Sequence, residues 1–292
     1  MTPIRSFLFV PGNKESWIEK SIAAGADALI LDLEDSVPHA QKVEARGIVA
    51  AKLPWVVEQG QRAWVRINRT PHLYDFEDIL AVAQPGLEGI FISKPCGPED
   101  IHVVSQMLAE AEMRKGLPIG SIHIIPLLET ARSLQLAYEI AQHPRVPAIV
   151  GATAKNADVA RALGYVWTAD GREGLYFKSR VVMAAKAAGK LAIGGVWQQV
   201  KDLEGLKASS LLDRQLGMNG ELALHPTNVE IINEVYSPTE DDVAFYKGMI
   251  AALEEAEANG RASVIYDGEH IDIAHVKTAR DIIELAKLYG RA

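Results

Sequence analysis

The sequence lacks several features that would point to particular classes of protein. Cys96 is the only cysteine in 292 residues, so no disulfide can form within the chain. Basic residues are not in excess: 30 Lys and Arg face 38 Asp and Glu, giving a formal net charge of -8. That charge disfavours nucleic acid and anionic membrane surfaces as partners, because both attract basic proteins.

Long hydrophobic runs are also missing. No stretch approaches the roughly 20 apolar residues that a membrane span needs. The N-terminal segment MTPIRSFLFVPGN reaches a Pro-Gly turn too early for the apolar region of a secretory signal. Hydrophobic residues nevertheless make up 48% of the chain, which is too apolar for disorder. We therefore expect a cytoplasmic globular protein with no membrane partner.

Short runs of β-branched and aromatic residues, bounded by turn residues, predict eight strands. Segments with helical spacing of apolar residues separate them, for example those that begin at Ile101 and Leu134. Several strand runs lack alternation, as is typical of parallel strands buried on both faces. Eight such β-then-α units predict an α/β fold, the TIM (β/α)8 barrel. The predicted strands lie near residues 6–10, 28–33, 63–67, 89–93, 122–127, 147–150, 190–193 and 221–224.

A doubly wound open sheet would show the same periodicity, so the choice between the two folds depends on the polar residues. Most of the chemically versatile side chains come at or just after the carboxyl end of a predicted strand, where a barrel assembles its active site. No GxGxxG fingerprint follows the first strand, which disfavours a dinucleotide-binding open sheet. Both observations favour the barrel. The side chains concerned are those of Asp32, Glu34, Asp35, Arg66, Asn68, Lys94, Glu129 and His225.

The pattern changes after the eighth strand. Ser237-Pro238 opens a helix predicted near 238–258, SVIYDGEHID predicts a hairpin around its Asp-Gly pair, and a last helix is predicted near 274–290. We divide the chain into a barrel at 1–236 and a C-terminal extension at 237–292. At about 55 residues the extension is small for an independent domain, so we interpret it as a lid or oligomerisation arm.

Three carboxylates leave the second strand together, at Asp32, Glu34 and Asp35. Like charges so close require a cation or a facing arginine, unless the segment caps a helix opened by Pro38. Arg66 would be costly to bury unpaired. Its forked donors suit a substrate carboxylate or an oxyanion, but a structural ion pair with the DLED segment would give the same pattern.

Glu129 follows the fifth strand, and Asp158 follows the sixth by way of a loop. Carboxylates from consecutive barrel strands can face each other across a short gap, and they would suit one hard divalent cation such as Mg²⁺. Zinc is disfavoured because no His or Cys pair has ligand spacing. The alternative is that each carboxylate caps the helix after it. Cys96 has no evident base, which predicts an unreactive thiol, and His225 either lines the barrel mouth or is satisfied by backbone.

Seven segments in order resemble the citrate lyase β-subunit-like family of aldolases, within the HpcH/HpaI aldolase/citrate lyase superfamily. The resemblance implies a TIM barrel that assembles as a homotrimer or hexamer. It further implies Mg²⁺-dependent making or breaking of a carbon–carbon bond in short 3-hydroxyacyl-CoA thioesters such as citramalyl-CoA or malyl-CoA, with acetyl-CoA and a 2-oxoacid as products. The segments are RSFLFVPGN, LDLEDSV, VRIN, PLLETARSL, ADVARALG, AIGGV and GELALHP.

The resemblance also implies roles for single residues. Glu129 matches the glutamate of the family's ET motif and Asp158 the aspartate before its A-R-x-L-G segment, and these are the two metal ligands. Arg66 matches the arginine that contacts the substrate oxygens, with Glu129 also next to the substrate. Glu34 and Asp35 match acids that hold metal-bound water.

Asp272 matches an acid of the C-terminal lid that takes part in catalysis, often donated by a neighbouring subunit. Lys14 is expected near the CoA entrance. Gly194 and Glu221 depart from the aspartate and lysine of many relatives, so the sequence leaves the acyl and CoA contacts open. It also leaves open whether residues 164–175 bind substrate or only connect two elements.

We expect a metal-dependent carbon–carbon lyase of the retro-aldol or retro-Claisen type. Three alternatives stay open. The first is an acyl-CoA thioesterase or a malate synthase-like condensing enzyme, which would use the same enolate and metal. The second is a class II pyruvate aldolase that uses no CoA. The third is a non-catalytic subunit that depends on an acyl-carrier complex.

Overall fold

Eight short apolar strands form one parallel sheet in the computed structural model, which describes residues 3–70, 72–151 and 153–291. The strands are β1 (Ser6–Pro11), β2 (Ala28–Asp32), β3 (Arg62–Arg66), β4 (Leu87–Ile92), β5 (His123–Pro126), β6 (Ala148–Gly151), β7 (Leu191–Gly194) and β8 (Gly220–Ala223). Neighbouring strands follow the order β5-β4-β3-β2-β1-β8-β7-β6. The two outer strands meet through a bridge between Leu127 and Val150, which nearly closes the sheet into a barrel.

Helices connect successive strands, so the β-then-α alternation predicted from the sequence is present and the barrel prediction is confirmed. One difference concerns the apolar stretch around Leu134, which forms two short helices that break at Leu136 instead of one. The helices are α1 (Glu15–Ser21), α2 (Lys42–Glu58), α3 (Phe76–Val82), α4 (Pro98–Lys115), α5 (Ala131–Gln135), α6 (Ala137–Ala141), α7 (Asp158–Leu163), α8 (Leu175–Ala187), α9 (Leu203–Leu216) and α10 (Pro226–Val235).

The barrel core is built from side chains of all eight strands. At its centre, the rings of Phe7, Trp64 and Phe91 meet edge to face, with centroids 5.3 to 6.0 Å apart. Buried aliphatic residues of the other strands, such as Ile125 and Leu222, complete the same cluster. The barrel is therefore filled with side chains, and polar chemistry is confined to the ends of its strands.

Contacts divide the chain into two compact units, Met1–Asn233 and Glu234–Ala292. The second unit contains α11 (Glu240–Ala258), the antiparallel hairpin of β9 (Ser263–Tyr266) and β10 (Glu269–Asp272), and α12 (Ile273–Leu288). Asp267 and Gly268 form its turn with φ of 49° and 80°, the positive values that a two-residue hairpin needs.

The second unit has its own small core. Met249, Ile271 and Ala279 are buried in it, and they come from α11, β10 and α12 respectively. The expectation that this unit serves as a lid or an oligomerisation arm stays a prediction. Within the described ranges, none of the helices combines the length and apolarity required to cross a lipid bilayer.

Candidate active site

An ion pair anchors the site at the carboxyl ends of β2 and β3. Asp32 and Arg66 are register partners on these strands. Nε of Arg66 donates to Oδ1 of Asp32 at 2.6 Å and Nη2 donates to Oδ2 at 2.7 Å. Burial alone would raise the pKa of Asp32, but Arg66 and nearby hydrogen bonds hold that pKa below its usual value. The structural ion pair that the sequence left open is therefore present.

The rest of the Arg66 guanidinium faces the other acids of the DLEDS segment. Its Nη1 lies 3.3 Å from Oε2 of Glu34 and 3.9 Å from Oδ2 of Asp35. The guanidinium also lies over the ring of Phe9, 4.7 Å from its centroid. Because Asp32 and Phe9 fix the side chain, Nη1 is held in position to meet an oxygen atom of a substrate.

Glu34 is buried among donors. Its Oε1 accepts from Ser93 Oγ at 2.5 Å and from Lys94 Nζ at 3.2 Å. Its Oε2 is buried and has no hydrogen-bond partner. The capping alternative for the DLEDS segment is wrong, because the short helical turn after Pro38 receives no side-chain cap.

Glu129 and Asp158 both contact Lys94. Oε2 of Glu129 accepts from the backbone N–H of Lys94 at 3.3 Å, and Oδ2 of Asp158 lies 3.3 Å from Lys94 Nζ. Asp158 also pairs with Arg161, one turn along α7. Neither acid is a helix cap, since the Thr130 side chain caps α5 and α7 has no side-chain cap. The structure thus brings the two predicted metal ligands to one lysine.

Four carboxylates surround Lys94, those of Glu34, Asp35, Glu129 and Asp158, and we call them the acid cluster. Their charges and that of Lys94 shift one another's pKa values. Burial raises the pKa of Glu129 to about 7, an effect that Lys94 opposes and Glu34 reinforces. Lys94 shows the opposite response: burial alone would lower its pKa, but the surrounding carboxylates raise it. A proton or a second cation is therefore well accommodated at Glu129 near neutral pH.

Lys94 contacts the acids of the site, although the sequence alone assigns it no role. The only signal was its position, directly after the fourth strand and before Pro95. With Glu34 and Asp35 it borders a cavity of about 750 Å³, whose wall also carries the basic residues Lys42 and Arg46. This cavity gives a small acidic molecule access to the acid cluster.

The oxygen ligands near Lys94 match the metal that the family resemblance implies, Mg²⁺. Among the described residues, no three His, Cys, Asp or Glu side chains converge on a preformed metal centre. Glu129 and Asp158 supply carboxylate oxygens. Oε2 of Glu34, which accepts no hydrogen bond but lies 3.3 Å from Arg66 Nη1, adds another acceptor nearby. Mg²⁺ takes one or two carboxylates and completes its octahedron with water and substrate. The residues fit Mg²⁺ in that manner, and they offer no nitrogen or sulfur ligand for zinc.

Two further predicted residues lie near a groove beside the first and last strands. Lys14 precedes α1, and Trp17 in the first turn of that helix lines a groove of about 330 Å³. His225 lines the same groove, and its Nδ1 lies 2.8 Å from Thr227 Oγ1 and accepts from the Thr227 N–H. Both interpretations of His225 therefore apply in part: it borders the groove, and its ring nitrogen is hydrogen-bonded by the nearby Thr227.

Asp272 belongs to the second unit, where it ends β10 and caps α12. Its Oδ1 accepts from the N–H of Ala274 at 3.0 Å and lies 2.8 Å from Nδ1 of His275. His275 and this amide lower the pKa of Asp272. A catalytic role for Asp272 stays a prediction. Cys96 is partly buried, with Sγ 3.9 Å from Arg69 Nη2, and its lack of reactivity is likewise untested.

The two departures from the family pattern lie on the helix side of the sheet. Glu221 on β8 is buried and accepts from Ser210 Oγ of α9 at 2.5 Å. Asp213 of the same helix pairs with Lys178 of α8 at 2.6 Å. A Cβ atom at Gly194 would lie 2.9 Å from Asp213 Oδ2, so a larger residue there would crowd this buried cluster. The contacts of these residues are with helices α8 and α9 and not with the acid cluster.

Residues 164–175 lie beside a cavity. Most of the segment from Trp167 to Gly174 lines this cavity of about 200 Å³, together with Trp197 and Lys178. The rings of Trp167 and Trp197 lie 5.7 Å apart in its wall. Whether substrate enters this cavity stays open.

Comparison with known proteins was made on the whole chain. Residues 5–226 match the family described as HpcH/HpaI aldolase/citrate lyase. A (3S)-malyl-CoA thioesterase of Cereibacter sphaeroides is 33% identical over 286 residues, covering 98% of this chain and 95% of the relative. An L-malyl-CoA/beta-methylmalyl-CoA lyase of the same species is 32% identical over 308 residues, again covering 98% and 95%.

Among solved structures, CitE from Mycobacterium tuberculosis in complex with magnesium and pyruvate is 25% identical, with a TM-score of 0.65. The match covers 81% of this chain and 92% of that one. The family match spans the barrel and every predicted site residue except Asp272. The chain therefore belongs to the HpcH/HpaI aldolase/citrate lyase family.

Proposed function

We propose that this protein is a Mg²⁺-dependent carbon–carbon lyase that cleaves or forms a short 3-hydroxyacyl-CoA such as malyl-CoA or citramalyl-CoA. The products in the cleavage direction are acetyl-CoA and a 2-oxoacid. One observation carries the proposal: Glu129 and Asp158 both contact Lys94, and the charge of Arg66 acts on Glu129 in the same cluster. The relatives act on malyl-CoA by name, and CitE was crystallised with magnesium and pyruvate, a 2-oxoacid.

Glu129 and Asp158 would hold the metal ion, with Glu34 and Asp35 placed to accept hydrogen bonds from water around it. When bound, Mg²⁺ supplies Lewis-acid polarisation of substrate oxygens. The protein side chains orient the substrate so that its hydroxyl and carboxylate oxygens face this position. Binding in one fixed orientation removes much of the entropic cost of reaching the transition state.

Arg66 would stabilise the negative charge that develops on the hydroxyl oxygen of the substrate as that oxygen loses its proton, before the carbon–carbon bond breaks. Asp32 and Phe9 already hold its guanidinium, so no reorganisation is needed when charge appears. Removing one preorganised donor of this kind commonly costs about 3 to 4 kcal/mol of transition-state stabilisation. The electron pair of the broken bond passes to the thioester and forms the acetyl-CoA enolate.

Asp272 is proposed to exchange a proton with the methyl carbon of acetyl-CoA. Its lowered pKa keeps it ionised at neutral pH, which is the form that abstracts this proton in the condensation direction. For cleavage, the same carboxylate would first take the proton of the substrate hydroxyl, whose oxygen becomes the carbonyl oxygen of the 2-oxoacid. It would then pass that proton to the enolate carbon of acetyl-CoA. We further propose that the chain assembles as a homotrimer or hexamer, so that Asp272 reaches a neighbouring barrel.

The CoA moiety is proposed to enter along the groove beside β1 and β8. The groove is largely apolar, with Phe9, Trp17 and Leu224 in its wall and Lys20 at its edge. An apolar wall suits the pantetheine arm, and basic side chains such as Lys14 and Lys20 suit the phosphates. Phe9 links the groove to the cluster, since it also lies against Arg66.

Thioester hydrolysis is a second candidate, because one of the full-length relatives is named a malyl-CoA thioesterase. Both reactions would use the same substrate and the same cluster, but they differ in products. A lyase releases acetyl-CoA and glyoxylate from malyl-CoA, whereas a thioesterase releases free CoA and malate.

The test incubates the purified chain with malyl-CoA or citramalyl-CoA and Mg²⁺, and separates the products by chromatography. Acetyl-CoA with an equal amount of 2-oxoacid supports the lyase, and free CoA alone assigns the thioesterase. Cleavage of CoA-free hydroxy-oxoacids would indicate a pyruvate aldolase. Turnover only with an acyl-carrier protein would indicate a subunit of a larger complex. Full activity in EDTA contradicts the metal-dependent mechanism.

A further inference from the structure

Lys94 connects to every carboxylate of the acid cluster. Its Nζ lies 3.2 Å from Glu34 Oε1, 3.4 Å from Asp35 Oδ2 and 3.3 Å from Asp158 Oδ2. Its backbone N–H donates to Glu129 Oε2. A cation shared by these acids would occupy the same region as the lysine ammonium. Lys94 acts as a counterion of the cluster together with Arg66, which lies beside Glu34 and Asp35, and Arg161, which pairs with Asp158.

The backbone conformation of Lys94 sets the direction of its side chain. Lys94 has φ of 54°, in the left-handed region that non-glycine residues seldom adopt. Its carbonyl oxygen accepts from Arg69, and its N–H is held by Glu129. These two hydrogen bonds keep the residue in that conformation and direct its side chain toward Asp35 and Asp158.

Arg66 cannot take over this role. Two of its nitrogens are bound to Asp32, and the guanidinium is planar and rigid. Lys94 instead carries its charge on a four-carbon chain with rotatable bonds, and more than a quarter of its side chain is exposed. It can leave the carboxylates without disturbing the ion pair beside them.

A lysine ammonium and a divalent cation repel each other and compete for the same oxygens. We propose that Lys94 is a positioning residue: it holds Glu34, Asp35 and Asp158 together in the metal-free protein and is displaced from Asp158 when Mg²⁺ binds. This inference rests on the proposed metal site at Glu129 and Asp158. Its consequence is that Lys94 sets the metal affinity, since each binding event includes the release of the ammonium.

The test measures Mg²⁺ binding directly, by titration calorimetry with MgCl₂ and no substrate. Lys94→Met keeps an unbranched chain of similar length without the charge, and we expect its Kd for Mg²⁺ to be at least tenfold lower than that of the wild type. Lys94→Arg keeps a positive charge, although on a planar guanidinium of different geometry, so we expect it not to reproduce the tighter Mg²⁺ binding of Lys94→Met. The matched control is Lys52→Met, because Lys52 also bridges two carboxylates, those of Glu15 and Glu19, and neither of these acids contacts Lys94.

A purely structural lysine predicts the opposite result, because its loss would splay the acids and weaken Mg²⁺ binding. A folded Lys94→Met protein that binds Mg²⁺ no more tightly than the wild type therefore overturns the proposal. Circular dichroism establishes folding, and Lys94→Gln replaces the methionine variant if that variant unfolds. If the wild type itself binds no Mg²⁺, the proposed metal site fails first, which separates the two failures.

A second readout does not depend on affinity. In protein with ¹³C-methylated lysines, the Lys94 signal can be assigned by its loss in Lys94→Met. Addition of Mg²⁺ should shift that signal, because the ammonium leaves its carboxylate partners. A Lys94 signal that does not move at saturating Mg²⁺, with binding confirmed by calorimetry, would also overturn the proposal.

Discussion

The buried carboxylate of Glu221 makes the stability of this protein depend on pH. Burial, together with the nearby Asp213, raises the pKa of Glu221 to about 8, against an ordinary value near 4.5. Between these two pH values the folded protein holds a proton that the unfolded chain has already lost. The free energy of unfolding therefore falls as pH rises, by about 1.4 kcal/mol per pH unit for one proton.

Glu221→Gln removes this titration while keeping the size of the side chain and an oxygen that can accept from Ser210. We expect the variant to gain stability relative to the wild type across the window from pH 4.5 to about 8. The gain would reach at most about 5 kcal/mol above pH 8. Any cost of burying the extra amide hydrogens is independent of pH, so it changes the offset between the two proteins and not the slope.

The assay is urea unfolding of both proteins at several pH values from 5 to 9, with the difference in unfolding free energy plotted against pH. Taking the difference cancels the titrating groups that do not interact with Glu221, so the remaining slope reports the titration of Glu221 and its neighbour Asp213. Glu58→Gln, the same chemical change at an exposed site, should give a flat line. A difference that stays constant with pH for Glu221→Gln would refute the reasoning, because it would mean that Glu221 is ionised in the folded protein throughout.

Four further outcomes are expected. Glu129→Ala and Asp158→Ala should each abolish Mg²⁺-stimulated turnover with an unchanged circular dichroism spectrum, and activity that persists in either variant would remove that residue from the metal site. Because the pKa of Glu129 is raised to about 7, Mg²⁺ affinity measured by calorimetry should fall about tenfold per unit as pH drops below 7; pH-independent binding would contradict this. Arg66→Lys should lower kcat by about 10² to 10³ and destabilise the fold through loss of the paired contact with Asp32, to be checked by steady-state kinetics and thermal unfolding. Asp272→Asn should lower kcat with little change in KM and slow the exchange of acetyl-CoA methyl protons into D₂O, and normal exchange would exclude it as the proton carrier.

The strands could be predicted from the sequence because both of their faces are buried. The run at 28–33 contains apolar residues without alternation, and the structure has β2 at Ala28–Asp32. Helix interruptions were harder to predict. The break at Leu136 carries no glycine or proline, and its φ of -100° and ψ of 25° depend on packing that no local pattern reveals.

The sequence predicts which residues come together in the site, but it does not predict how their side chains pair. Arg66 could bind a substrate or a structural acid, and the β2–β3 register, which sets Asp32 opposite Arg66, decides in favour of the acid for two of its nitrogens. Lys94 was overlooked as a functional residue because its importance depends on a left-handed backbone conformation. A sequence pattern carries no direct signal for that conformation in a lysine.

The near closure of the sheet has a consequence for how the site assembles. Glu129 and Asp158 follow β5 and β6, the two strands that border the seam of the sheet. In the described residues this seam is joined by the Leu127–Val150 bridge and by the hydrogen bond that the Leu128 N–H donates to the Val150 carbonyl. An ion bound by both acids would link β5 to β6 across that seam. Metal binding and closure of the barrel would then stabilise each other, so the proposed metal site would also stabilise the barrel that carries it.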